Sequence, residues 1–454
     1  MIDFDLTDLA KEIRVARGRV ADLEIARRLG QPLFEPFQGI RRVATKTTFE
    51  SLKSLESTAF GRGARAHVAQ LLQARLLQEL DAEIAAEMRA AETRVDLDAP
   101  LQASLRDIRQ GLLESRGGAH AEAYFDAFAR AQGRVAPMLR ERAERRLEIA
   151  KRLGQSAHDE LALPMPRAAI EATATQFLRD TEALAEAQLQ ELGKRREVSS
   201  WPLACILQSI GKGADHGWPA HLQPRWLHET FPHLATARID PKTGEAAARR
   251  LLGRPPLRAG SSSFVRFLHR FGVTLGESVP ERDLAMVERA DPLGIAPCTW
   301  GVVLASLPLE RLFHRTVLGS MREKGQAHVR EIAQLAFFTA RIAAFTVLAA
   351  DGGARSELEP RVFGARLPQG LGGNWPVHDD AARARWVAFL RAHGEREKIV
   401  ATFDEDWFRN PRAAEYFLVC EPLVAQAEAA EEARASGATE GWTGWVRTFE
   451  ERLA

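Results

Sequence analysis

The chain has 454 residues, enough for two or three domains and a substantial core. Lys and Arg number 62 against 61 Asp and Glu, a formal net charge of +1. That balance argues against a dedicated nucleic-acid binder, which shows a clear basic excess.

The N-terminus, MIDFDLTDLAKEIR, mixes acids and bases and has no apolar run, so no secretory signal is expected and the location read from it is cytoplasmic. Leu6, Leu9, Ile13, Ala16, Val20 and Leu23 recur three or four apart and predict one amphipathic helix, ended by Gly30 and Pro32. Val68, Leu72, Leu76, Leu80, Ile84 and Met88 predict a second, and Leu101, Leu105, Ile108 and Leu112 a third. A fourth holds Tyr124, Phe125 and Phe128 and should break at Gly133 to Pro137. A fifth runs over 141–153 and is capped by Gly154; a sixth covers 167–192. LEIARRLGQ at 23–31 returns as LEIAKRLGQ at 147–155, but the likeness decays on both sides and reads as coincidence.

Composition changes near residue 200. All nine tryptophans lie at or after Trp201, and proline becomes frequent. The expected domains are a helical N-terminal one, 1–200, and a mainly helical one, 201–454. Helices are predicted over 261–271, 280–289, 299–307, 309–320, 326–350, 381–392 and 411–437. The Gly/Pro-rich stretch 351–380 has room for a short hairpin or a lid. The fold class is therefore all-α, with at most a small β hairpin.

Ile332 to Ala350 is apolar nearly all round but holds Gln334 and, at its middle, Arg341. A charge at bilayer depth costs ~2.5–3.5 kcal/mol, so a buried core helix is expected rather than a membrane span. Arg341 then needs a buried carboxylate or carbonyl partner.

Cys205, Cys298 and Cys420 are far apart, form no CxxC pair and suggest no disulfide framework. His216, His221, His228, Glu229 and His233 are the densest set of metal-ligand side chains in the chain. Their spacing fits no standard motif, and Pro232 keeps His228 and His233 off one helical face. They are weak candidates for zinc, and no cofactor is otherwise implied. No Glu-x-x-His, Gly-x-Ser-x-Gly or phosphate-loop motif occurs.

The segment LERLFHRTVLGSM, 309–321, looks like a zinc-peptidase metal helix that has lost its chemistry. The working form reads His-Glu-x-x-His, with two imidazoles one turn apart on the ion and the Glu activating water. Here Arg315 follows His314, and Leu318 stands where the second His would be. Upstream, Arg145 to Gly193 (RRLEIAKRLGQ through AEAQLQELG), SSWPLACIL, LQPRWLHETFP, AARRLLG and the run PCTWGVVLASLPLERLFH follow in order. Together, over about 145–321, they resemble the thimet oligopeptidase and oligoendopeptidase F family of zinc metallopeptidases.

The resemblance implies a multi-helix, two-lobed architecture around a groove. It also implies that the zinc site is gone. Only His314 remains of it, Arg315 replaces the base, and the long helix that should offer the last ligand offers Arg341 and apolar residues. The expected function is a non-catalytic, peptidase-like protein binding a peptide or protein partner, with His314, Arg315 and Arg341 as its binding residues. Two alternatives stay open: a metal-dependent hydrolase using the His216 to His233 cluster, and a helical scaffold with no small ligand. Neither nucleic acid nor membrane is expected as a partner.

Overall fold

The computed structural model describes residues 5–105, 107, 108, 111, 118–196, 261–278, 283–319, 322–349, 355–364, 366, 367, 381–418 and 441–454. It is almost wholly helical. Helix α1, Leu6–Leu29, starts at Asp5, whose carboxylate accepts from the Thr7 and Asp8 amides, and stops at Gly30, which has φ +67°. Then come α2 (Lys46–Ser51), α3 (Ala59–Leu76) and α4 (Gln78–Ala90). Strands β1 (Thr93–Val95) and β2 (Leu101–Ala103) pair antiparallel, with Arg94 opposite Gln102. Helices α5 (Gly118–Arg152), α6 (Arg167–Asp180) and α7 (Glu182–Arg196) follow.

The second half contributes α8 (Ser261–Ser278), α9 (Asp283–Glu288), α10 (Ile295–Ala305), α11 (Arg311–Thr316) and α12 (Arg322–Ala349). The chain continues through α13 (Arg355–Phe363), α14 (Ala382–Phe403), α15 (Pro411–Leu418) and α16 (Gly441–Leu453).

Several elements differ from the sequence expectation. The predicted second helix is two helices, broken at Leu77, which leaves Leu76 half in solvent. Among the described residues the hairpin forms at 93–103, rather than in 351–380, and its second strand takes up Leu101, where the predicted third helix begins, because Val95 and Ala103 bury one side of a short ribbon beside α5. Helix α5 runs straight through Pro137, so the predicted fourth and fifth helices are one. Val135, Met138 and Leu139 flank that proline and pack with Leu80, Ile84 and Met88. The burial outweighs the roughly 3 kcal/mol that an interior proline costs.

The predicted sixth helix divides into α6 and α7 at Thr181, and the predicted helix 309–320 shortens to α11. The first part of 411–437 is α15, and 419–437 lies outside the described residues. Helix α16 was not predicted.

Two compact units interleave along the chain, where the sequence suggests one boundary at 200. The first comprises Met1–Arg167, Glu281–Leu293 and Leu367–Ala381; the second comprises Ala168–Pro280, Gly294–Arg366 and Ala382–Ala454. In the first unit, Leu9, Ile13 and Ala16 of α1 and Ala64 and Val68 of α3 enclose a core with Phe37, Phe49, Met286 and Val287. Met286 and Val287 belong to α9, which reaches this core from far along the chain.

In the second unit, α8 and α10 form the most extensive helix pair among the described residues. They approach closely because Gly272 and Gly276 sit one turn apart against Trp300 and Pro297, and Gly301 sits against His269. An aromatic stack joins α6, α14 and α16. Phe177 meets Trp386 at 5.3 Å, Phe389 stacks on Trp386 at 5.2 Å and on Trp445 at 5.0 Å, and Trp445 leads to Phe449. The indole N–H of Trp386 donates to Thr173 Oγ1 at 2.9 Å and that of Trp445 to the Phe389 carbonyl at 2.8 Å.

Helix α12 is the one described helix long and apolar enough to cross a membrane, and most of that apolar stretch is buried inside the protein. Phe337, Phe338, Ala344, Phe345 and Val347 have no exposed surface.

Candidate functional site

Leu307–Leu309 forms one 3₁₀ turn that delivers the chain into α11. Glu310 precedes the helix in extended conformation. Its carboxylate pairs with Arg396 of α14 and lies 3.8 Å from Arg452 of α16. Phe313 anchors α11 in the core between Phe264 at 6.0 Å and Phe408 at 5.8 Å. This anchoring turns the next side chain, His314, inward, leaving it 1 % exposed.

His314 Nε2 lies 2.7 Å from the carbonyl oxygen of Pro308. A carbonyl only accepts, so Nε2 carries the hydrogen and Nδ1 holds the lone pair of the neutral ring. Burial pushes the imidazole down to about 4; the Pro308 carbonyl opposes that shift and nearby His328 adds to it. The two rings are 5.9 Å apart between centroids. His328 enters from α12 and is itself buried. Sequence reading passed over it, because it follows His314 by fourteen residues across a turn and no motif has that spacing.

Arg315 is exposed on the outer face of α11, as is Arg311 one turn earlier. Leu318 is partly buried and lies beyond the end of the helix, which closes at Val317, whose backbone N–H donates to the Phe313 carbonyl. Gly319 then takes φ +59°. His314 and Leu318 therefore do not sit one turn apart on a single helix, as the metal-helix reading supposed.

Arg341 is fully buried, and its partners are neutral acceptors rather than a carboxylate. One Nη donates to the Leu178 carbonyl at 3.1 Å and to Thr181 Oγ1 at 2.5 Å; the other donates to the Arg361 carbonyl at 2.9 Å. Leu178 and Arg361 occupy the last turns of α6 and α13. Their carbonyls are the acceptors a helix end leaves without an internal partner, and both lie at the negative pole of the helix dipole. Leu178 O is also the group a continuous helix would pair with the Glu182 amide, so the guanidinium sits where α6 and α7 part. Burial lowers Arg341 to about 10, partly offset by the field of Glu182. Glu182 itself makes a two-point pair with Arg361, at 2.7 Å for each contact.

The expected carbonyl partner of Arg341 is thus present. The structure does not bring Arg341 to His314, however. It is His328 that faces His314, and Arg341 follows it by thirteen residues, about 20 Å along α12 at ~1.5 Å per residue.

Among the described residues, no three His, Cys, Asp or Glu side chains converge where a metal ion could be held. His216, His221, His228 and His233 lie outside the described residues, as do Cys205 and Cys420. Cys298 is a partly buried thiol on α10.

No protein-family profile matches the chain. No curated protein sequence matches it either. Among solved structures it is similar to the crystal structure of oligoendopeptidase-F from Enterococcus faecium, with 14% identity over 92% of this chain and 78% of that chain, and a TM-score of 0.44.

Proposed function

We propose that this chain is a non-catalytic, peptidase-like helical protein that binds a peptide or a protein partner. The observation that carries the reading is the identity and setting of the residues around His314. The position after it, where a water-activating carboxylate would stand, is an arginine turned to solvent. Four residues on is Leu318, past the end of the helix. Hydrolysis through a zinc hydroxide needs three ligands and a base, and this helix supplies one imidazole. The ordered likeness over 145–321 to a peptidase family supports the peptide side of the reading.

On this reading Arg315, with Arg311 beside it, meets the ligand. A guanidinium offers a two-point contact to a carboxylate, which favours acidic peptides. His314, buried on the same helix, fixes that face through its bond to the Pro308 carbonyl, and Arg341 joins α12 to α6 and α13 farther along the chain. The density of histidines at 216–233 keeps a second reading in play, a hydrolase with a displaced zinc site.

The deciding experiment combines metal analysis with a peptide library. Peptide binding without turnover, weakened at least tenfold by Arg315→Glu, supports the proposal. Stoichiometric zinc lost on His228→Ala and His233→Ala, together with peptide cleavage, replaces it with the second reading.

A further inference from the structure

Glu310, the extended residue that leads into α11, sets one carboxylate between two guanidiniums, Arg396 of α14 and Arg452 in the last turn of α16. Helix α16 lies tight on α14, with Gly441 against the Leu390 carbonyl and Gly444 against the His393 ring.

The two arginines are held unequally. Arg396 donates to Glu310 Oε1. Arg452 Nη2 stands 3.8 Å from Glu310 Oε2, beyond hydrogen-bonding distance. Its Nε has no hydrogen-bond partner among the described residues. The other acids of these two helices are engaged elsewhere or turned to water. Glu395 pairs with Lys398 at 2.9 Å, Glu397 lies 3.6 Å from His393 Nδ1, and Glu450 and Glu451 are exposed.

Two guanidiniums against one carboxylate leave a surplus positive charge, and Arg452 is attracted to Glu310 without being hydrogen-bonded by it. The side chains of Arg396, Glu310 and Arg452 are 16 %, 17 % and 19 % exposed. That is shielded enough for a charged hydrogen bond to hold, and open enough for a ligand group to reach. Arg311 directly follows Glu310, and it and Arg315 continue the positive charge along the outer face of α11.

The structure assigns Arg452 as a carboxylate-binding residue, which takes an acidic group of the bound peptide beside the Arg311 and Arg315 face. The assignment rests on reading the chain as a peptide binder, and it names the group the ligand must carry. The planar fork of an arginine meets both oxygens of a carboxylate at once. Glu310 is the internal competitor. It orients Arg452 by charge alone and repels a second carboxylate, so neutralising it should tighten the ligand. The ligand's carboxylate comes either from the peptide's C-terminus or from an Asp or Glu side chain.

The test measures binding of a decapeptide library to the full chain in three forms. The first has a free C-terminal acid with Asp and Glu present, the second is C-terminally amidated, and the third is amidated with Asn and Gln replacing Asp and Glu. Wild type should prefer the first form over the third, and Arg452→Gln should cut that preference about tenfold. A loss on amidation alone identifies the chain end as the source; a loss confined to the third form identifies a side chain. Glu310→Gln should tighten the first form and leave the third unchanged, whereas a merely structural Glu310 would weaken every form. A preference that Arg452→Gln leaves intact, or equal binding of all forms by wild type, overturns the assignment while peptide binding stands. Absence of binding in every form overturns the peptide reading and the assignment with it. Should Arg452→Gln not fold, Glu310→Gln decides, and unchanged or weaker binding of the first form overturns the assignment.

Discussion

Acidification offers a direct reading of how His314 is held. Its folded value is about 4, against an unfolded value of about 6.5. The folded state therefore binds fewer protons between these limits. Stability from this group is complete above about pH 6.5 and drains away as the pH falls toward 4. By pH 5 an unfolded imidazole is almost fully protonated and the folded one about a tenth so, a difference of about 2 kcal/mol. His314→Gln removes that contribution while keeping a side-chain N–H that can reach the Pro308 carbonyl. Urea denaturation at pH 7.5 and pH 5, followed by tryptophan fluorescence, reads it out, because Trp300, Trp386, Trp407 and Trp445 are buried in the same compact unit. His269, also pushed down to about 4 by burial and by Arg385 and Arg270, adds a background slope common to both proteins. Wild type should lose about 2 kcal/mol more than the variant over this range. Parallel losses would refute the claim that the fold holds His314 neutral.

Gly272→Ala places a methyl group against the Trp300 carbonyl, and the strain of separating two backbones costs about 1–3 kcal/mol. Thermal unfolding should show a lower midpoint, and an unchanged one would mean α8 and α10 have slack. Arg341→Lys keeps the charge but not the planar fork, so one ammonium cannot reach acceptors on both α6 and α13. With two charged hydrogen bonds lost, the cost is about 3 kcal/mol in urea titration; a loss under ~1 kcal/mol would show that water replaces the guanidinium. If Arg341 instead contacts the ligand, peptide affinity in this variant should fall more than stability does.

The parts of this protein legible in the sequence are those whose cause is local. The stripe from Leu6 to Leu23 and the stop at Gly30 mark out α1, because end signals and a 3.6-residue period are properties of neighbouring residues. The all-helical class and the buried course of α12 follow from the same kind of signal. The absence of a carboxylate after His314 is likewise a fact of the sequence.

What escaped it depends on residues far apart in the chain. Pro137 stays helical because α4 packs beside it. Thr181 ends one helix and begins another where a guanidinium from α12, 160 residues away, takes a carbonyl. Leu318 leaves the face of His314, and His328 arrives there, since Phe313 and the close of α11 decide which way the chain turns. Periodicity and end signals determined which stretches coil and which face is apolar. Only tertiary packing decided which coils break, which run on and which buried polar groups meet, because those outcomes rest on burial and hydrogen bonds that exist only once distant segments touch.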